Sequence, residues 1–335
     1  MASASVVLAY GFGVFHLLKV MDGVRELVKA MSRYKDYREA ATRQSNAELA
    51  TVEQFESAGL LGEHGIVLGS ISDQAGKKRL LKYDGKNAIT VASPPEGKKS
   101  TSVFMPTLLA TAEGRGLGHS AIVFDPAAEI YSVTQEALRK ENDVYCLSPW
   151  PERIAAQLLE ATGEEIPVHD SGLNYWSDLN IEDEDPRQFR SVLKRKAELL
   201  IPCNPRDDEK DRFFKMAGRR LFIYFALYCI AAEKAPTLAM IRSMLNEGPE
   251  AMQKRFAEGS ESTALNGLLA EEAGGLLDIA SGAVEQHAGG LGNALNAIDL
   301  FDGYSVFADH FRPDGLDPGV LKREKPAIVF VIYPL

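Results

Sequence analysis

The chain has 335 residues, 45% of them hydrophobic and 25% charged, with 47 acidic residues against 37 basic for a net charge of −10. That composition is globular and supports a large core and two domains. It argues against coating nucleic acid by bulk charge, so contact with DNA would need a local basic surface.

In chain order, residues Ser3 to Met21 are apolar apart from His16 and Lys19. This run approaches the ~20 apolar residues a membrane-spanning helix requires. A basic flank follows, with Arg25, Lys29, Arg33, Lys35, Arg38 and Arg43, which favours the cytoplasmic side of a membrane. The alternative is an amphipathic helix that turns Val24, Leu27, Val28 and Met31 inward. No small-residue cleavage pattern follows, so a signal peptide is not expected. His64–Ser70 and Lys78–Asp84 read as strands bounded by turn residues, and Ala88–Ala92 reads as a short buried strand. Lys99–Gly114 reads as a helix that Pro106 must start, kink or interrupt. His119–Asp125 and Asp143–Pro149 are further strands, with a helix over Ala127–Asn142 between them. Strand and helix alternating at this spacing imply crossovers and a parallel sheet.

From Pro186 to His310 no strand pattern appears. Arg187–Ile201 is amphipathic. Leu221–Ala232 is densely apolar, but with Arg219 and Arg220 ahead of it the run is too short to span a bilayer and reads as a buried helix. Thr237 marks a helix start, and Gly248-Pro249 follows its end. Gly267–Phe301 is rich in Ala, Gly and Leu, with glycines suited to close helix packing. Ala327–Tyr333 returns as a strand. Residues 1–50, 51–185, 186–312 and 313–335 are thus an apolar and basic N-terminal segment, an α/β part, a helical part and a returning strand. Cys146, Cys203 and Cys229 form no CxxC pair and read as buried apolar side chains of a reducing compartment. The six histidines show no HxxxH or HExxH spacing, so no metal site is expected.

The chemistry-bearing stretch is Ser93-Pro94-Pro95-Glu96-Gly97, followed by Lys98, Lys99, Ser100 and Thr101. A strand, a turn and a helix start place backbone N–H groups where a phosphate can sit. The usual spacing is GxxxxGK[ST]. Pairing Gly97 with Lys98 puts Lys99 at the hydroxyl position, and pairing Lys99 with Ser100 puts Lys98 where a glycine belongs. The two prolines remove two N–H donors, and Glu96 adds negative charge. A strand-turn-helix with solvated lysines, and Ser100 or Thr101 as a helix cap, is the competing reading. Asp125, at a strand's carboxyl end, is either a site residue or the cap of the next helix. Glu129 is either its partner or a solvated helix residue. Lys194, Arg195 and Lys196 are either a DNA contact or a charged helix face, and Trp150 and Trp176 read as packing.

The segments GIVLG (Gly65–Gly69), KYDGKNAITVASPPEGKKSTSVFMPTLLA (Lys82–Ala110) and SAIVFDPAAEIYSVTQEALR (Ser120–Arg139), in that order, resemble the TraG-like coupling proteins of type IV secretion and conjugative DNA transfer. The resemblance spans roughly residues 57–335 by segment order. It implies an α/β fold: a P-loop NTPase-like (RecA-like) parallel sheet with an inserted all-helical domain. Counting back from Met105-Pro106-Thr107-Leu108-Leu109 places Lys99 at the loop lysine, and a one-residue shift places Lys98 there. Gly97, Ser100 and Thr101 complete the loop, with ATP and Mg²⁺ as the implied cofactors. Asp125 and Glu129 match the family's acidic pair, and Asn174 matches a downstream asparagine. The implied partners are secretion or conjugation components, including a relaxase–DNA complex, and further copies of the chain. The implied location is the cytoplasmic face of the bacterial inner membrane, with the cytoplasm as alternative. No DEF stretch follows the returning strand. The resemblance therefore implies a chain truncated before the Walker B strand, binding nucleotide without autonomous hydrolysis, and a second chain that supplies the rest. Two other readings remain: a non-catalytic interaction module with a vestigial loop, and an unrelated α/β phosphate-binding enzyme.

Overall fold

The computed structural model describes residues 50–73, 75–85, 99–179, 185–232, 234–282 and 284–333. Residues 3–21, the basic flank through Arg43, the strand expected over Ala88–Ala92, Gly97 and Lys98 lie outside them. The chain divides into two units, 1–59 and 60–335. In the first, α1 (Val52–Ser57) opens with a capping box. Thr51 Oγ1 accepts from the Gln54 N–H, and Gln54 Oε1 accepts from the Thr51 N–H.

The second unit begins with an antiparallel hairpin, β1 (Ile66–Ser72) and β2 (Lys78–Tyr83), that forms its own two-stranded sheet. Both strands were expected, but not as a hairpin separate from the parallel sheet. The reason is the short connection, which joins antiparallel neighbours and is too brief for a crossover. Asp73 shapes it by accepting the N–H groups of Ala75 and Lys77, while Gly76 takes a positive φ of 76°.

A continuous helix then runs from Lys99 in two styles: a π-helical turn, Ser100–Phe104, and α2 (Met105–Ala112). Pro106 has no N–H for the regular ladder, and just ahead of it the Met105 N–H donates to Ser100 O, five residues back. Two threonines fix this helix. Thr107 Oγ1 accepts the Val67 N–H (3.0 Å) and donates to Val103 O (2.6 Å), which ties the hairpin to the helix. Thr111 Oγ1 accepts the Leu117 N–H and donates to Thr107 O.

The parallel sheet has three strands, β3 (Ala121–Phe124), β4 (Asp143–Leu147) and β5 (Ala327–Val331), in the order β3–β5–β4. The returning strand is therefore central. Its sequence, AIVFV, is apolar on both faces because both faces are covered. Ile328 and Phe330 face a core with Leu108, α3 (Glu129–Leu138) and α4 (Pro151–Thr162), where the Tyr131 ring meets Phe330 edge-on at 5.2 Å. Ala327 and Val329 face the other side, against Leu147, Leu316 and Val320.

Between residues 185 and 310 the described residues contain no strand. The helices are α5 (Pro186–Leu200), α6 (Glu209–Ala231), α7 (Leu238–Leu245), α8 (Pro249–Ser260), α9 (Leu268–Gly282), α10 (Val284–Ala297) and α11 (Val306–His310). They enclose a core centred on the Leu221–Ile230 stretch of α6, with Trp176 stacked on Phe222 at 6.0 Å. Asp208 caps α6 and Thr237 caps α7, each accepting the N–H three residues on. Among the described residues no helix is long and apolar enough to cross a membrane. Cys146 and Cys229 are buried, and burial pushes their thiols up to about 12 and about 11. Cys203 is exposed, contrary to expectation, because it lies in the polar connection between α5 and α6.

Candidate functional site

Of the site residues expected from the sequence, Asp125 lies at the carboxyl end of a parallel strand, the rim where open α/β sheets bind ligands. Lys99 has helical backbone angles (φ −61°, ψ −37°), and Ser100 and Thr101 form the first turn that follows. The Lys99 side chain makes no capping hydrogen bond to the π-helical turn that follows it. The helix packs beside α3.

Asp125 follows β3. Its N–H donates to Val331 O (3.0 Å), extending the sheet by one step. Its carboxylate is buried and accepts the Tyr131 N–H at 2.8 Å, with the N–H groups of Ile130 and Glu129 beside it. Burial raises the carboxyl above the ordinary range, against the lowering effect of those donors. The turn between is tight enough to hold Ala128 at φ 56°, fully buried. Asp125 therefore caps α3, and Glu129 stands exposed in its first turn. No hydrogen bond or ion pair among the described residues joins Lys99 or Ser100 to Asp125 or Glu129.

A second polar group at the same rim had no sequence signal, because its members are far apart in the chain. Asp170 holds His310 Nδ1 with both oxygens (2.9 and 2.8 Å) and accepts the Ser148 N–H at 3.0 Å. Arg312 donates to Asp170 O at 2.9 Å. The carboxylate assigns the proton to Nδ1, so Nε2 accepts from the Tyr333 hydroxyl at 3.2 Å. The His310 ring is fully buried. Burial, aided by the Asp170 charge, pushes the Tyr333 phenol up, so it stays protonated. Trp150 packs edge-on against Tyr333 and Phe307, as its packing role required. One carboxylate thus ties together the ends of β4, β5 and α11.

Of the basic residues on α5, Lys194 is exposed, while Arg195 and Lys196 both pair with Asp178. Lys196 is buried over the Tyr175 ring at 4.4 Å. Asn174 orders its own turn by accepting the Trp176 N–H. Among the described residues no group of three or more His, Cys, Asp or Glu side chains is placed to hold a metal ion.

A family model described as type IV secretory system conjugative DNA transfer matches residues 48–301. The chain belongs to that family. The match takes in the hairpin, the loop, β3, β4 and α1 to α10, and β5 lies outside it. No curated protein and no solved structure matches the chain. The mixed α/β architecture with a parallel sheet and a large helical part is compatible with the fold that the family resemblance implies.

Proposed function

We propose that this chain serves conjugative DNA transfer as a nucleotide-binding relative of the coupling-protein ATPases. The observation that carries this reading is the family match, which extends across the loop between β2 and the helix from Lys99. The sequence around the loop suits the role, with two cations and two hydroxyls in succession, Lys98, Lys99, Ser100 and Thr101, leading into a helix. Gly97 gives the backbone its close approach, Lys98 or Lys99 meets the phosphates, and Ser100 or Thr101 faces Mg²⁺. The ion, when bound, offsets charge on the phosphate oxygens. Asp125 serves the site by fixing the β3–α3 turn. In the described sheet β3 is an edge strand, and Ala88–Ala92 has the composition of a further strand that would pair beside it. The site of action is the cytoplasmic face of the inner membrane, in contact with a relaxase–DNA complex and further copies of the chain.

The role is tested by plasmid transfer from donor cells in which the gene is deleted and then restored. Wild type restores transfer, and Lys98→Ala/Lys99→Ala does not. Undiminished transfer in the deletion strain would end the proposal.

A further inference from the structure

Two helices on the sheet face that carries Ile328 and Phe330, α3 and α4, leave an open groove between them. It is a cavity of about 920 Å³. Met105, Pro126, Ala127, Val133, Leu158 and Ala161 supply its apolar surface, and Val133 is 54% exposed. Its polar rim is acidic: Glu129 on one helix and Glu160 on the other. Glu136 is exposed one turn further along the α3 face that carries Glu129 and Val133. No lysine or arginine lines the groove. Among the described residues none of these three carboxylates has an ion-pair partner.

We propose that this groove is a docking surface for a basic amphipathic helix of a partner protein. Charge complementarity selects the partner: carboxylates flanking an apolar floor favour Lys and Arg beside an apolar stripe, and they repel phosphate and nucleic acid. The walls select the form. Both are helices whose backbone groups are already paired, so a strand gains no main-chain hydrogen bonds there, whereas a helix lays its ridge between theirs. With 10 and 12 residues, α3 and α4 run for about 15 and 18 Å, which suits a partner helix of about three turns. Ala127 and Ala161 leave room for its larger apolar side chains.

The test uses the full chain and a fluorescent peptide of about 14 residues, with leucines at helical spacing on one face and lysines elsewhere. Binding is read by anisotropy at near-physiological salt. A scrambled peptide of the same composition is the control ligand. Glu129→Lys/Glu160→Lys reverses the rim and Ala161→Tyr fills the floor. Glu250→Lys/Glu261→Lys makes the same charge change on exposed positions around α8. The amphipathic peptide binds wild type, and each groove variant weakens it about tenfold. The α8 variant stays within about twofold of wild type, and the scrambled peptide binds more weakly. Equal binding of the scrambled peptide, or an equal loss in the α8 variant, reduces the effect to bulk charge and overturns the proposal. Unchanged affinity in both groove variants overturns it as well. If the double reversal lowers thermal stability, Ala161→Tyr decides.

Discussion

Replacing Gly290 with alanine probes the close backbone contact between α6 and α10. A Cβ on Gly290 would lie 2.7 Å from Ala217 Cβ and 3.1 Å from the Ala217 carbonyl carbon. On the facing helix, a Cβ on Gly218 would lie 2.9 Å from Gly290 O. Carbon pairs rest at about 3.5–4.0 Å, so the helices must part by about 1 Å to admit one methyl group. Overpacking of this kind costs about 1–3 kcal/mol. Alanine also returns about 1 kcal/mol of helix propensity, which hides part of that cost. Gly292, in the same helix with nothing within 4 Å of its Cβ direction, separates the two effects. Gly292→Ala collects the propensity gain alone, and the difference between the two variants is the overpacking cost, about 1–3 kcal/mol. Urea unfolding followed by far-UV circular dichroism measures it. If Gly290→Ala stabilises the protein as much as Gly292→Ala, the two helices are not in backbone contact and the packing argument fails.

Asp170→Ala leaves the His310 Nδ1–H and the Ser148 N–H buried without their acceptor, and it should destabilise the chain by about 2–4 kcal/mol in the same assay; a loss below about 0.5 kcal/mol would mean the cluster is solvated. Tyr333→Phe removes only the donor to Nε2 and should cost about 1–3 kcal/mol, less than Asp170→Ala. His287 lies against Phe256 with Nδ1 buried and unpaired, and burial holds its pKa below the ordinary imidazole value. The unfolded chain therefore takes up a proton near pH 6.5 that the folded chain refuses, so stability falls as pH drops below about 6.5. His287→Leu should flatten that part of the stability–pH curve, and an unchanged slope would contradict the assignment.

Apolar runs carried most of the elements into view. Ile66–Ser72, Asp143–Leu147 and Ala327–Val331 lie within a residue or two of where burial patterns put them. Pro106 was expected to start, kink or interrupt its helix; the helix runs on through it, and the missing N–H accounts for the π-helical turn ahead of it. The glycines of Gly267–Phe301 pointed to close packing, and Gly290 shows it. Strand order was not legible, because nothing local tells β5 that it will lie between β3 and β4. Asp125 had two readings, and the N–H groups of α3 hold its carboxylate in the capping one. Asp170, His310 and Tyr333 stand 140 and 23 residues apart along the chain. No periodicity joins residues at such separations, and only the folded rim brings them together.

The central claim is nucleotide binding at the loop before Lys99, and calorimetric titration of the full chain with MgATP tests it most directly. Wild type should show saturable heat for one site per chain. Lys98→Ala/Lys99→Ala should weaken binding at least about tenfold, because each charge-assisted bond to a phosphate contributes about 1.5–3 kcal/mol. No saturable heat in wild type, or the same affinity in both proteins, would contradict the account.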